Sequence, residues 1–159
     1  MSSRWRLLGL LTVAFPAVFL AACAGAPKPP PPTIIQGIVE VAPGVNPDSS
    51  GRASPIVVKM FELKSLAAFG SADFFSLFEK DQATLGAELT AREDMQLMPK
   101  DTRKFERKAQ PETRFLGVIA GYRDLEHAKW RGAVAIPPEK VTRVTIRLDA
   151  RSVSVTAAQ

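Results

Sequence analysis

Among the 159 residues there is one imidazole, His127, and one thiol, Cys23. His127 lies in the segment LEHAKW, Leu125–Trp130, beside a predicted strand. A catalytic base or metal ligand needs partners, and no second histidine is available to share an ion or relay a proton. It reads as a surface residue. The acids Glu93, Asp94 and Glu106 cannot be paired into an acid–base couple from spacing alone. Ser49-Ser50-Gly51 is turn chemistry rather than a nucleophile beside a base. Gly117 and Gly121 fall inside a predicted strand, not in a loop that could wrap a phosphate. No catalytic constellation emerges. The expectation is a protein that is not an enzyme, with no catalytic residue, no metal site and no small-molecule substrate.

Cys23 has a different context. The residues before it read MSSRWRLLGLLTVAFPAVFLAA. Arg4 and Arg6 form a positive head, and from Leu7 to Ala22 the only polar side chain is Thr12. This order is that of a secretory signal peptide. A membrane-spanning helix needs roughly 20 apolar residues; this run has 16, with Pro16 among them. Leu20-Ala21-Ala22-Cys23 resembles the lipobox of bacterial lipoproteins. That resemblance implies that Cys23 becomes the first residue of the mature chain and carries acyl chains, the only prosthetic group expected. One acyl chain holds a bilayer reversibly, at about 0.8 kcal/mol per methylene; two or three would anchor the protein almost permanently. Ala24 stands where lipoproteins kept at the inner membrane usually show aspartate, which implies the outer membrane, facing the periplasm. Five of the six residues Pro27–Pro32 are proline. Such a stretch favours the extended polyproline conformation at about 3.1 Å per residue, so residues 24–33 predict a tether of about 30 Å.

The predicted organisation is a signal peptide over 1–22, a lipidated cysteine and tether over 23–33, and one folded domain over 34–159. The net charge of +5 becomes +3 when Arg4 and Arg6 are removed, 19 basic against 16 acidic side chains. The densest basic cluster is Arg103, Lys104, Arg107 and Lys108, interrupted by Phe105 and Glu106. That alternation describes a solvated strand face and not a nucleic-acid site. With a single cysteine, no disulfide can form inside the domain.

Period-two alternation recurs along the domain. Strands are predicted at Thr33–Ala42, Pro55–Lys64, Arg114–Arg123, Lys129–Ile136, Val141–Ala150 and Ser152–Thr156, with weaker ones at Ala87–Leu97 and Thr102–Lys108. Pro55–Lys64 is apolar on both faces until Lys59 and Glu62, as a central strand would be. Gly117 and Gly121 share a face where a neighbour could approach closely. About eight short strands separated by Pro, Gly and Asp turns predict an all-β antiparallel sandwich, with a closed barrel as the alternative. One helical insertion is predicted over Ser71–Gly86, capped by Ser71 with Asp73 in its first turn. Phe74, Leu77 and Phe78 share a face, either closing one end of the sandwich core or forming an aromatic docking site. The longest irregular connection, Ala42–Ser54, is of a length that is often functional.

Three stretches, NPDSSGRASPIVVKMFELKS (Asn46–Ser65), SADFFSLFEKDQATLGAEL (Ser71–Leu89) and GVIAGYRDLEHAKWRG (Gly117–Gly132), together with the lipobox, resemble the TssJ (SciN) family of type VI secretion lipoproteins. Lys100 departs from the Pro-Gly expected of many members at 99–100. The resemblance implies a transthyretin-like sandwich of two four-stranded sheets with a small helical insertion. It also implies docking of the periplasmic C-terminal region of TssM, with the loop between the first two strands in the contact. Here that loop contributes Pro43, Val45, Asn46, Pro47, Asp48 and Arg52. Arg123 and Asp124 could join the contact or form a local salt bridge, and Trp130 could belong to core or interface. The alternative function is a small-ligand or glycan-binding lipoprotein, which would show a deep pocket lined by Tyr122 and Trp130.

Overall fold

The computed structural model describes residues 29–158. The predicted leader, Cys23 and the start of the tether lie outside the described residues. Pro29–Pro32 are exposed and without regular structure. Eight strands follow: β1 (Ile34–Val41), β2 (Ile56–Leu63), β3 (Leu89–Leu97), β4 (Thr102–Lys108), β5 (Phe115–Ala120), β6 (Arg131–Ala135), β7 (Val141–Leu148) and β8 (Val153–Ala158). They form two four-stranded sheets, ordered β4-β1-β7-β8 and β3-β2-β5-β6. Every pairing is antiparallel except β1 with β7, which run parallel from Ile34 opposite Val141 to Val41 opposite Leu148. The sandwich is therefore antiparallel with one parallel pair at its centre. Strands far apart in sequence are free of the hairpin constraint that enforces antiparallel pairing.

The pleat sorts each strand into two faces. Ile35, Val39 and Val41 of β1 point inward with Val144, Ile146 and Leu148 of β7. Across from them lie Ile56, Val58 and Met60 of β2 and Leu116, Val118 and Ala120 of β5. The opposite face of β2 carries Phe61 and Leu63, which are also buried. They belong to a second apolar cluster with Phe69, Leu77, Leu85 and Ile119, on the outside of the sheet. This explains the apolar character of β2 on both faces.

The cover over that outer face is helical, in three short pieces rather than the single helix predicted. These are α1 (Ala67–Ser71), α2 (Phe74–Glu79) and α3 (Asp81–Leu85), followed by a 3-10 turn at Gly86–Glu88. Ser71 ends α1 instead of capping a helix; its hydroxyl donates to the Ala67 carbonyl at 3.0 Å. Asp73 is the cap, accepting from the Ser76 N–H at 2.9 Å. A carboxylate that takes both the N–H and the hydroxyl of Ser76 outcompetes the serine two residues earlier. Nor do the aromatics close an end of the sandwich. Phe74 stacks on Phe78 at 5.0 Å and meets Trp130 edge-on at 5.3 Å, over the outer face of the second sheet. The shared face of Gly117 and Gly121 lies beneath this layer. A Cβ on Gly117 would stand 2.9 Å from the Phe69 ring, and one on Gly121 would stand 3.3 Å from Phe78.

Three buried charges become intelligible from these layers. Lys59 donates to Asp81 of α3 at 3.2 Å, and Arg92 pairs with the same carboxylate. Burial works to raise the Asp81 pKa, but Lys59 and Arg92 outweigh it and hold the group below the usual carboxylate value. Glu62 points between the sheets and accepts from the Thr113 hydroxyl at 3.1 Å and the Gln110 N–H at 3.3 Å. Paired in this way, with Arg107 3.7 Å from Glu62, all three charges are tolerated inside.

The turn between β3 and β4 holds a strained residue. Lys100 sits at φ 72, where a side chain costs about 1–2 kcal/mol and glycine nothing. Lys100→Gly is expected to raise the unfolding free energy by about 0.5–1 kcal/mol after the extra freedom of glycine in the unfolded chain is deducted. A shift in urea midpoint at constant slope would show it.

Candidate docking site

Strand directions fix which loops meet. β1 begins at the tether end, and its last residue, Val41, opens the Ala42–Ser54 connection at the opposite end. The registers bring the 98–101 turn, the 121–130 connection and the 149–152 turn to that same end.

The long connection is not a free excursion. Val45 is fully buried in the intersheet core and Asn46 is 4% exposed. The Asn46 amide donates to the Pro55 carbonyl at 2.8 Å, and its oxygen accepts from the Arg123 N–H at 2.8 Å. Asn46 also takes φ 50, which its short polar side chain tolerates. Of the six residues predicted to touch a partner, these two therefore pin the loop from within. The reason is the demand of buried backbone groups for partners: one amide satisfies a carbonyl and an N–H from two different connections.

The tip closes on itself. Asp48 accepts from the N–H groups of Ser50 at 2.9 Å and Arg52 at 3.0 Å, and from the Arg52 guanidinium at 2.9 Å. The Arg52 N–H chiefly holds its carboxyl below the usual range, with the guanidinium and the nearby Arg123 charge adding to it. Pro43 and Arg52 are exposed, and Pro47 and Asp48 are half-buried. These four remain at the surface. Arg123 is exposed beside them. Asp124 is engaged locally, 2.7 Å from His127 Nδ1 and 3.0 Å from Arg151 Nε; the bond to His127 is the main cause of its lowered pKa. Sequence reasoning missed Arg151 and the exposed Met98. Only the strand registers bring these two turns to the loop.

The His127 side chain is 74% exposed with Asp124 as its partner. The three acids weighed earlier are separated, Glu93 with Arg107, Asp94 with Lys59 and Glu106 with Gln36. Among the described residues, no group of three or more His, Cys, Asp or Glu side chains is placed to hold a metal ion. Tyr122 is buried between the sheets, its hydroxyl donating to the Asp149 carbonyl at 3.2 Å, and burial raises its pKa. Trp130 packs against Phe74. The two rings fill packing positions instead of lining one pocket.

The family described as "Type VI secretion lipoprotein, VasD, EvfM, TssJ, VC_A0113" matches residues 33–151. No curated protein sequence matches the chain. Among solved structures, the T6SS lipoprotein TssJ1 from Pseudomonas aeruginosa is 36% identical, with a TM-score of 0.78 over 81% of this chain and 98% of its own. Serratia marcescens Lip, a membrane-bound component of the type VI secretion system, is 23% identical, with a TM-score of 0.70 over 79% of this chain and 97% of its own. A chain in the structure described as the TssM C-terminal domain from EAEC is 21% identical, with a TM-score of 0.64 over 77% of this chain and 99% of its own. The likeness to these last two concerns the fold.

Proposed function

Because the chain belongs to the type VI secretion lipoprotein family that includes TssJ, matching it over residues 33–151, we propose that it docks the periplasmic C-terminal region of TssM. Acyl chains on Cys23 hold it meanwhile in the outer membrane. The protein links two parts of the secretion envelope complex and performs no reaction of its own. The observation that carries this reading is the opposed placement of tether and loop. The chain enters β1 at one end, and the pinned, proline-bordered connection projects from the other. A loop already held by Val45 and Asn46 has little conformational freedom left to lose on binding. Separation of the candidate acids among Arg107, Lys59 and Gln36 supports a role without catalysis.

The test is a shortened tip. Replacing Asp48–Arg52 with a two-residue turn keeps Val45, Asn46 and Pro55 in place. The detergent-solubilised lipoprotein carrying this change is expected to melt within a few degrees of the parent and to lose about tenfold or more in affinity for a TssM periplasmic fragment. Undiminished capture would remove the tip from the contact.

A further inference from the structure

Arg123 and Arg151 line one depression at the loop end of the sandwich, and Arg52 reaches it only through its ion pair with Asp48. The depression is lined by Pro47, Asp48, Ser49, Arg123, Asp124 and Arg151 and encloses about 470 Å³. Two of the three guanidiniums are matched: Arg52 lies 2.9 Å from Asp48 and Arg151 lies 3.0 Å from Asp124. Among the described residues, Arg123 has no carboxylate partner. Its backbone N–H is held by the buried Asn46 amide, so its backbone is fixed at the depression, while its guanidinium forms no ion pair among the described residues and acts on Asp48 only at longer range. With Arg52, outside the lining, bonded to Asp48, three guanidiniums share two carboxylates around the depression, one positive charge in surplus.

We infer that Arg123 receives a single carboxylate side chain, aspartate or glutamate, from the docked protein partner. This rests on the docking reading above and names the chemistry that the partner presents at that site. A guanidinium fork matches a carboxylate in two parallel hydrogen bonds. The flanking Asp48 and Asp124 carboxylates admit one negative charge next to Arg123 and repel a doubly charged phosphate. A lipid headgroup is disfavoured by position, because the depression opens at the end opposite the one where the tether enters β1. The occupant is a protein acid.

The experiment measures binding of a TssM periplasmic fragment to the detergent-solubilised lipoprotein, its Arg123→Ala, Arg123→Lys and Arg123→Glu variants, at low and high salt. Truncation leaves the Arg123 N–H, and thus the Asn46 bond, in place, and circular dichroism checks the fold of each variant. Arg123→Ala is expected to bind about tenfold more weakly and Arg123→Glu about a hundredfold, with Arg123→Lys between wild type and alanine. Wild-type affinity should fall more steeply than that of Arg123→Ala between about 0.05 and 0.5 M salt. Wild-type capture with equal affinity for Arg123→Ala or Arg123→Glu overturns this inference and leaves the docking reading standing. Failure of the wild-type protein to capture the fragment overturns both.

Discussion

Phe61→Ala is expected to lower the unfolding free energy by about 3–5 kcal/mol, a large part of the roughly 5–15 kcal/mol that holds a domain folded. The ring is fully buried on the outer face of β2 and meets Phe69 of α1 edge-on at 6.1 Å. Removing it opens a cavity between the second sheet and its helical cover, a position that the intersheet core cannot refill. The single cysteine of the chain rules out a disulfide inside the domain, so packing, with the Lys59–Asp81 pair and the Arg131 bonds to the Phe69 and Ala72 carbonyls, holds this layer. Phe75→Ala is the matched control. That ring is 60% exposed, and its loss should register within about 0.5 kcal/mol. Guanidinium unfolding monitored by fluorescence separates the two. Equal midpoints for both variants would mean that α1–α3 drape over the sheet without contributing to its stability.

Cys23→Ser has the largest expected effect on location. The full-length protein carrying it should leave the membrane pellet and collect in the soluble fraction, because acyl chains at that sulfur are the proposed hold on the bilayer. No helix among the described residues is long and apolar enough to cross a membrane. The folded domain should be unaffected, since β1 starts only at Ile34. Sedimentation of the variant with outer membrane at the wild-type level would place the anchor elsewhere in the molecule.

Strand positions were legible because burial on one face writes itself into every second residue. Val141–Leu148 alternates cleanly, and β4 has the predicted bounds of Thr102 and Lys108. Lys59 and Glu62 interrupt β2 in the sequence, yet both are inside, each matched by a partner 22 to 51 residues away. No local pattern announces such a match. The split of the helical segment at Lys80 was hidden for a similar reason: Asp81 turns inward to meet Lys59 and Arg92, a tertiary attraction that overrides a continuous apolar face. Loop length pointed to Ala42–Ser54, but not to the division of labour within it. Val45 and Asn46 look as solvent-ready as Asp48 and Arg52 until the 121–130 connection is brought against them. Arg151 became part of the site only through the β7–β8 turn.

The run of β1 from one end of the sandwich to the other has a mechanical consequence. On the proposed docking reading, a pull between an acylated Cys23 and a partner gripping the loop enters the fold at Ile34 and leaves it at Val41. That strand is bonded along its length to β4 on one side and β7 on the other. Because the load enters and leaves through one strand, the covalent backbone of β1 carries it, and neither flanking ladder is peeled rung by rung. A protein strung between a membrane and a secretion machine carries its tension along the strand best braced to bear it.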